Sequence, residues 1–270
     1  MKIAIIGSGI SGLTSAYLLN KKHDITLFEK NDYVGGHTHT HELEYDKTKW
    51  FVDSGFIVYN ERTYPNFIKI LDKLGVDRQV TRMGFSVKSS KQNLEYAGHS
   101  LNGLFAQRSN LFRPSYLNML RNMARFNRES RKDLTLLDPN LTLGQYLELN
   151  NYSNTFIQNF IIPIGAAVWS TNPLSMMDMP AVFFIRFFEN HGMLQIIDRP
   201  KWWVIKGGSK SYVKKIIENF KDKILLSTPV NSVERINNKI IIKYGLKDNK
   251  EETFDSVIFA THSNQSLKML

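Results

Sequence analysis

The N-terminal residues "KIAIIGSGISGLTSAYLLNKKHDITLFEK" (2–30) carry the strongest indication of the fold of this 270-residue chain. It begins with a short run of apolar and β-branched residues, which is typical of a strand buried on both faces of a parallel sheet. A glycine-rich loop, a segment with helical spacing of apolar residues and a second apolar run ending at Glu29 follow. The stretch therefore predicts a βαβ unit whose loop, with Gly7, Gly9 and Gly12, joins strand to helix.

Each glycine of this loop has a physical task. Gly7 permits a tight turn, Gly9 lets the backbone approach a diphosphate, and Gly12 lets the helix pack closely on the strand. The helix N-terminus offers free N–H groups and a partial positive charge to phosphates. Glu29 is placed to accept hydrogen bonds from a ribose diol. The pattern predicts dinucleotide binding, and the acid fits NAD and the adenosine half of FAD equally well.

A second glycine-rich stretch, "GGHTHTHELEY" (35–45), follows the second strand. Alternate side chains of an extended chain point to one face, so His37, His39 and His41 are predicted to point the same way. Such a row could bind zinc, although two nearby glutamates are the only obvious carboxylates to support it. A metal site and a role in cofactor binding are the two interpretations.

The segment "FEKNDYVGGHTHT" (28–40) resembles the extended dinucleotide motif of FAD-dependent amine oxidases, phytoene desaturases and protoporphyrinogen oxidases. In that group the acid of the second strand is followed by an Arg-x-Gly-Gly-Arg-type loop and then by Thr or Ser. Over essentially its whole length the chain is similar to a bacterial group of NAD/FAD-binding amine-oxidase-like proteins. The strings that carry this resemblance are "VDSGFIVYNERTYPNF", "PIGAAVWS", "FFENHG" and "GGSKSYV".

The resemblance implies FAD as the cofactor. FAD is longer than NAD, and adjacent glycines let a second stretch of backbone approach its diphosphate and ribityl chain. It also implies that Asp53, Ser54 and Gly55 lie near the flavin ring and that Val230 holds adenine through its backbone. The expected cofactor-binding residues are Gly7, Gly9, Ser11, Gly12, Glu29, Gly35, Gly36, His37, Thr38, Asp53, Ser54, Gly55 and Val230.

The resemblance also implies different roles for His37 and for the other two histidines of the row. His37 stands where many members have Arg and is expected to donate a hydrogen bond toward the flavin or its phosphates. His39 and His41 are then ordinary loop or strand residues and no metal is expected, with zinc binding and covalent attachment of flavin to a His as the alternatives. Tyr33 replaces an Arg of the wider superfamily, so one phosphate or flavin contact is expected to be missing or replaced.

From about 61 to 199 the pattern is mostly helical and predicts an inserted cap, or substrate, domain. The segment "TYPNFIKILDKLGV" predicts a helix with Pro65 near its start and Gly75 at its end. The segment "GFSVKSSKQNLEYAG" alternates like a pair of hairpin strands.

The segment "RPSYLNMLRNMARFNRESRK" predicts a basic amphipathic helix. A solvated face over a core stripe is the favoured interpretation, and peripheral contact with anionic lipid is the alternative. The basic row comprises Arg121, Arg125, Arg128 and Lys132, and the opposite apolar row comprises Leu117, Leu120 and Met123.

The apolar centre of this region contains "MPAVFFIRFFENHGML", with phenylalanines one helical turn apart. They form either a buried helix face or an apolar tunnel for a lipid, polyene or alkylamine. Few charges converge here, which argues against a small, highly polar substrate. Trp202 as an aromatic wall, His191 as a group that titrates near neutrality and Trp169 are the substrate-side candidates, and no catalytic base is identified.

The composition restricts the possible binding partners and the cellular compartment. The net charge is +10, which suggests contact with anions, but no zinc-finger, helix-turn-helix or RNA-binding signature indicates nucleic acid as a partner. Cysteine is absent, which excludes disulfides and thiolate chemistry and is compatible with a cytoplasmic, reducing compartment. Peripheral membrane association is left open.

The C-terminal part predicts a strand, a β-meander and a further strand, "VIFATHS", that approaches the flavin. The predicted fold is α/β: a Rossmann-type FAD-binding domain, of the glutathione-reductase-like second group, formed by 1–60 and 200–270, with the cap at 61–199. Members of the resembling family continue beyond Leu270, so the chain is expected to be truncated or completed by another chain.

The sequence thus predicts an FAD-dependent oxidoreductase that removes a hydride from an apolar amine or an unsaturated, lipid-like substrate. The alternatives are a flavin-dependent mutase or isomerase and a truncated, non-catalytic dinucleotide-binding protein.

Overall fold

A computed structural model of the chain describes residues 1–169, 171–195, 199–246 and 250–270. The chain clusters into two compact units. The first consists of Met1–Tyr59, Tyr64–Thr81 and Trp203–Leu270, and the second consists of Asn60–Thr63 and Arg82–Trp202. Each unit has its own buried apolar core.

The elements are numbered in chain order. The strands are β1 (Lys2–Ile6), β2 (Asp24–Phe28), β3 (Thr40–Tyr45), β4 (Thr48–Asp53), β5 (Tyr59–Asn60), β6 (Arg78–Thr81), β7 (Ser86–Ser89), β8 (Leu94–Ala97), β9 (Trp202–Ile205), β10 (Ile224–Leu225), β11 (Val230–Ile236), β12 (Lys239–Tyr244), β13 (Lys250–Phe254) and β14 (Ser256–Phe259). The helices are α1 (Ile10–Leu19), α2 (Pro65–Leu74), α3 (Leu101–Leu104), α4 (Pro114–Asp133), α5 (Leu143–Leu149), α6 (Asn154–Phe156), α7 (Ile162–Trp169), α8 (Ala181–Asn190), α9 (Lys210–Ile217) and α10 (Ser263–Met269).

A parallel sheet of order β10-β2-β1-β14 organises the first unit within the described residues. Strand β1 lies in the middle, with Ile3 opposite Ile25 on one side and Ser256 on the other. Its residues from Ile3 to Ile6 are buried, as expected for a central strand covered on both faces. The βαβ unit that the opening stretch predicts is therefore present as β1, α1 and β2.

Helices α1, α2 and α9 contribute to one core beside this sheet. Leu13 of α1, Leu71 of α2 and Ile216 of α9 are fully buried in it. Helix α2 begins at Pro65, and Gly75 ends it with a left-handed φ of 59°, as the sequence predicts. The segment 64–81, assigned to the cap from sequence, thus clusters with the first unit, because the apolar face of α2 packs into that core.

Smaller sheets complete the first unit. The antiparallel meander β11-β12-β13 covers the sheet through a core that includes Ile242 and Phe254. Strands β3 and β4 form a hairpin in which Leu43 lies opposite Trp50, and both side chains are exposed. Strands β5, β9 and β6 form a further sheet in that order.

The second unit packs mainly aromatic side chains. The predicted hairpin is present as β7 and β8, and Tyr96 of β8 donates a hydrogen bond to the Asn159 carbonyl at 2.7 Å. Phe126 of α4 is fully buried and lies within ring-contact distance of four other rings. Those rings belong to Tyr146, Tyr152, Phe156 and Phe184.

Helix α4 buries a row displaced from the predicted one. Leu117 is 42% exposed, while Leu120 and Met123 are only partly buried. The large rings of Tyr116 and Phe126 occupy the core instead, because they remove more apolar surface from water than Leu117 does. Within the predicted basic row, Arg125 packs on the Tyr152 ring at 4.0 Å. The buried row comprises Tyr116, Met119, Asn122, Phe126 and Ser130.

None of the helices in the part of the chain that the structure describes combines the length and apolar character that a membrane span requires.

Candidate functional site

A cleft of about 510 Å³ lies in the first unit, at the carboxyl ends of three parallel strands. Residues that follow β1, β2 and β14 line it, which is where ligands bind in open α/β sheets. Its volume is within the usual range of ligand sites. The lining residues are Ile6, Gly7, Ser8, Gly9, Phe28, Glu29, Lys30, Asn31, Tyr33, Gly36, His37, Thr228, Pro229, Val230, Ala260, Thr261, His262, Gln265, Lys268 and Met269.

The first glycine stretch forms the floor of this cleft. Gly7 has a φ of 102°, which L-residues with a side chain rarely adopt. A Cβ on Gly12 would lie 1.9 Å from the Gly7 carbonyl oxygen, so α1 could not approach β1 with any larger residue there. A Cβ on Gly9 would meet no atom within 4 Å. The packing of the protein therefore requires Gly12, whereas the space beside Gly9 is left open.

The glycine doublet meets the first stretch directly. Gly35 and Gly36 have φ values of 127° and 59°. A Cβ on Gly36 would lie 3.1 Å from the Cα of Gly9, so two stretches of bare backbone touch at the edge of the cleft. This arrangement leaves backbone, rather than side chains, facing the path of a ligand across the cleft.

Glu29 is the buried acid of the cleft. It is 5% exposed, and its carboxylate accepts hydrogen bonds from the Ser8 N–H at 2.9 Å, the Ser8 hydroxyl at 2.5 Å and the Asn31 N–H at 2.9 Å. These donors stabilise a carboxylate at the end of β2, where a ribose would lie in a bound dinucleotide.

The opposite wall comes from α10 and from the start of β11. Val230 is the first residue of β11 and lines the cleft. His262, which directly precedes α10, and Lys268 of α10 also line the cleft. The His262 ring lies 5.8 Å from the His37 ring in a nearly parallel arrangement. The sequence analysis placed His262 near the flavin only as part of the segment "VIFATHS" and did not identify Lys30 or Lys268. The polar residues at 262, 265 and 268 recur every third position, and this spacing could have indicated a polar helix face that includes Lys268.

The structure brings six of the predicted cofactor residues into the cleft lining. These are Gly7, Gly9, Glu29, Gly36, His37 and Val230. Gly12 and Gly35 are not part of the lining, and a Cβ on either would meet a backbone carbonyl oxygen, of Gly7 and of Thr38 respectively. Ser11 is exposed in the first turn of α1.

The remaining predicted residues are used within the protein. Thr38 hydrogen-bonds the Tyr212 hydroxyl, and burial raises the pKa of Tyr212 to about 12. The Asp53 carboxylate accepts bonds from the Ser209 N–H and hydroxyl, each at 3.0 Å, and from the Thr40 hydroxyl. These contacts fix the hairpin β3–β4 against the start of α9.

Ser54 and Gly55 follow the hairpin and are held by the histidine segment. The Ser54 N–H donates to the His39 carbonyl at 3.0 Å, and a Cβ on Gly55 would lie 2.1 Å from the His37 carbonyl oxygen. Gly55 is thus required by close backbone packing.

The three histidines do not act as one row. His37 faces the cleft, whereas the His39 ring stacks on Tyr33 at 4.5 Å and lies 4.4 Å from the His41 ring. Among the described residues, no group of three or more His, Asp or Glu side chains is arranged to hold a metal ion.

The substrate-side candidates lie together in the second unit. The Trp169 ring lies 4.8 Å from Phe187, Phe187 stacks on His191 at 4.0 Å, and His191 lies 6.4 Å from Trp202 in a nearly parallel arrangement. The His191 Nδ1 also lies 2.8 Å from the Phe187 carbonyl oxygen. We call this row of four rings the aromatic ladder.

The chain matches a protein-family model over most of its length. The model described as flavin containing amine oxidoreductase matches residues 10–269. The chain belongs to this family. The family and the flavin cofactor that the sequence predicted are thereby confirmed.

Two curated proteins match short stretches of this chain at high identity. Tryptophan 2-monooxygenase of Allorhizobium ampelinum is 57% identical over 42 residues, which are 15% of this chain and 6% of the relative. A 1-hydroxycarotenoid 3,4-desaturase of Flavobacterium sp. is 56% identical over 43 residues, which are 16% of this chain and 9% of the relative.

Solved structures confirm the predicted Rossmann-type fold. Putrescine oxidase bound to putrescine has a TM-score of 0.69 at 20% identity and covers 100% of this chain. Cyclohexylamine oxidase from Brevibacterium oxydans has a TM-score of 0.65 at 17% identity and covers 96%. The chain spans 60% and 57% of the lengths of these two structures.

Proposed function

We propose that the cleft of the first unit binds FAD and that the chain forms part of an FAD-dependent oxidoreductase. The observation that carries this proposal is the meeting of two glycine stretches, where a Cβ on Gly36 would lie 3.1 Å from the Gly9 Cα. A long diphosphate ligand needs such a bare surface, because side chains would block its approach.

The residues of the cleft fit the successive parts of FAD. The loop of Gly7 and Gly9 and the free N–H groups of α1 suit the diphosphate, and the carboxylate of Glu29 suits the adenosine ribose. Val230 suits the adenine through its backbone. His37 suits an anionic group as a hydrogen-bond donor.

Three further lining residues, which are not among the individually predicted site residues, belong to this proposal. Lys30, His262 and Lys268 place cationic or N–H donor groups around the cleft, next to the single carboxylate of Glu29. Charge-assisted hydrogen bonds to phosphate are among the strongest available to side chains. We propose that these residues help to balance the charge of the diphosphate.

FAD, when bound, supplies a ring that accepts a hydride equivalent from the substrate. The chain's own contribution is to bind the cofactor and to recognise the substrate. The curated relatives carry names of enzymes acting on tryptophan and on a hydroxycarotenoid, and the solved structures include oxidases of putrescine and cyclohexylamine. We propose an apolar amine or an unsaturated, lipid-like molecule as the substrate.

The aromatic ladder supports this substrate class. Trp169, His191 and Trp202 lie in the second unit, together with a core rich in aromatic rings. Flat rings bind alkyl and polyene groups by removing apolar surface from water. We therefore keep these residues as the substrate-side candidates and propose the second unit as the substrate domain.

The test is an FAD titration of the whole chain, followed by flavin absorbance and fluorescence. Gly36→Ala is compared with Gly75→Ala, because both glycines have a φ of 59° and only Gly36 lines the cleft. We expect the wild type and Gly75→Ala to bind FAD similarly and Gly36→Ala to bind at least about tenfold more weakly.

Equal affinity of the two variants would contradict the placement of FAD at the doublet. A folded wild-type chain that binds neither FAD nor ADP would contradict the proposed function as a whole. Binding of FAD without turnover of amines or polyenes would favour the non-catalytic alternative.

A further inference from the structure

The dinucleotide fingerprint needs glycine on either side of Ser8 but does not need a hydroxyl between them. Ser8 is nevertheless fully buried, and its side chain points into the region that joins three segments of the first unit. A buried hydroxyl requires hydrogen-bond partners, and the identity of these partners indicates what Ser8 does.

Ser8 connects the end of β2 with the glycine doublet. Its hydroxyl donates to Glu29 Oε2 at 2.5 Å, and its N–H donates to the same oxygen at 2.9 Å. The Gly35 N–H lies 3.1 Å from the Ser8 carbonyl oxygen and 3.3 Å from the Ser8 hydroxyl oxygen. A hydroxyl can donate once and accept from another donor, so this geometry uses both abilities of Ser8.

These contacts determine how the Glu29 carboxylate is oriented. Oε2 receives both bonds from Ser8, whereas Oε1 receives the Asn31 N–H at 2.9 Å. A carboxylate oxygen can accept more than one hydrogen bond, so within the described residues Oε1 keeps more unused capacity than Oε2. The side chain lines the cleft, where a hydroxyl of the ligand can use that capacity.

We propose that Ser8 is a positioning residue that orients Glu29 for the ribose diol of the bound dinucleotide and ties the glycine doublet to the first loop. This inference rests on the proposed function, because it requires a dinucleotide in the cleft. Ser8 itself acts through Glu29 and Gly35 and does not need to touch the ligand.

The experiment compares two ligands and a set of variants in the whole chain. ADP carries the ribose diol, and 2′,3′-dideoxy-ADP lacks it while keeping the adenine and the diphosphate. We expect Ser8→Ala to bind ADP about tenfold or more weakly, because it removes a hydrogen bond to a charged group, and to bind the dideoxy analogue within about twofold of wild type.

Two further variants separate orientation from packing. Glu29→Gln should show the same ligand discrimination, and the double variant Ser8→Ala/Glu29→Gln should bind ADP no more weakly than Glu29→Gln alone. Ser15→Ala is the matched control, since its hydroxyl donates a hydrogen bond within α1, to the Ser11 carbonyl at 2.9 Å. It should bind both ligands like wild type.

The outcomes distinguish this inference from the proposed function. If wild type binds neither ADP nor FAD, the proposed function fails. If wild type binds ADP and Ser8→Ala loses equal affinity for both ligands, or none, the role of Ser8 is wrong and the proposed function stands.

A measurement on the unmodified chain keeps the inference testable if Ser8→Ala does not fold. The Gly35 amide should be protected from hydrogen exchange, because it lies against both oxygens of Ser8. Free exchange of that amide in the folded wild type would overturn the proposed link.

Discussion

The two units of the molecule are built on opposite uses of side chains. At the cleft of the first unit, close approach depends on side chains that are missing: a single methyl on Gly12 would come within 1.9 Å of the Gly7 carbonyl oxygen. In the second unit, the core depends on large rings that fill space, with Phe126 in contact with four other rings. The loop at the cleft is therefore sensitive to added atoms, and the aromatic core of the second unit is sensitive to removed ones.

The difference between the glycine-rich cleft and the aromatic core has a physical reason. In the proposed complex, the loop of Gly7 and Gly9 presents N–H groups to the diphosphate, and only bare backbone can bring such groups close to a ligand. A core without such a ligand gains stability from buried apolar area, which rings supply in the largest amounts. Three predictions test this contrast.

The largest effect is expected for Gly12→Ala. The added Cβ meets backbone on the neighbouring strand loop, which cannot move aside, so we expect a loss of more than about 4 kcal/mol in the free energy of unfolding. Gly9→Ala is the matched control, because its Cβ meets no atom within 4 Å. Urea unfolding monitored by far-UV circular dichroism measures both.

Gly9→Ala should separate an effect on ligand binding from an effect on stability. It should leave the free energy of unfolding within about 1 kcal/mol of wild type but weaken FAD binding, because the open space beside Gly9 is where the diphosphate lies in the proposed complex. A Gly9→Ala chain that binds FAD like wild type would show that the diphosphate takes another path.

The second prediction concerns the rings. Phe126→Ala should lower the free energy of unfolding by about 3–5 kcal/mol through lost apolar contact and a remaining cavity. Phe183→Ala, on α8 and 51% exposed, should cost roughly 1 kcal/mol or less. Hydrogen exchange resolved by residue should show the loosened amides within 82–202 for Phe126→Ala. Similar losses for both variants would remove the contrast between buried and exposed rings.

The smallest expected effect concerns Tyr212, a buried side chain that stabilises the first unit. Burial raises the pKa of Tyr212 to about 12, above the value of about 10 for an exposed tyrosine. The unfolded chain therefore loses this proton first, and the stability that the neutral side chain contributes is full below pH 10 and is lost as the pH rises toward 12. By pH 11 the loss from this group alone should be on the order of 1 kcal/mol.

Tyr212→Phe is the variant that isolates this group. It loses the hydrogen bond to Thr38, so it should be about 1 kcal/mol less stable than wild type at pH 8, and the difference should shrink or reverse at pH 11. Urea unfolding at both pH values measures it. A difference that does not change with pH would contradict the assigned role of burial at Tyr212.

Several features could be predicted from sequence because they depend on local rules. The order of β1, α1 and β2 follows from apolar runs separated by glycines, and Pro65 and Gly75 mark the ends of α2. The row buried by α4 could not be predicted in the same way. Leu117 and Tyr116 are neighbours on one helix, and only the surrounding rings decide which of them is buried.

The candidate site likewise contains residues that could be predicted from sequence and residues that could not. Gly7, Gly9, Glu29, Gly36, His37 and Val230 were identified as cleft residues from a motif and a family resemblance. Asp53 was expected near the flavin, but its carboxylate is used by Ser209 and Thr40, which lie far from one another in sequence. His262 and Lys268 reach the cleft because β14 pairs with β1 and brings α10 to the same edge.

The βαβ unit and its dinucleotide-binding motif could be predicted from sequence alone, since both depend on residue types at fixed spacing along one short segment. The family could be predicted as well, because the strings that carry the resemblance lie along the whole chain. The tertiary structure decided which side chains face the cleft and which are consumed in internal hydrogen bonds. The physical reason is that a hydrogen bond such as that from Ser8 to Glu29, or from Ser209 to Asp53, depends on the distance between atoms in space, which spacing along the chain does not specify.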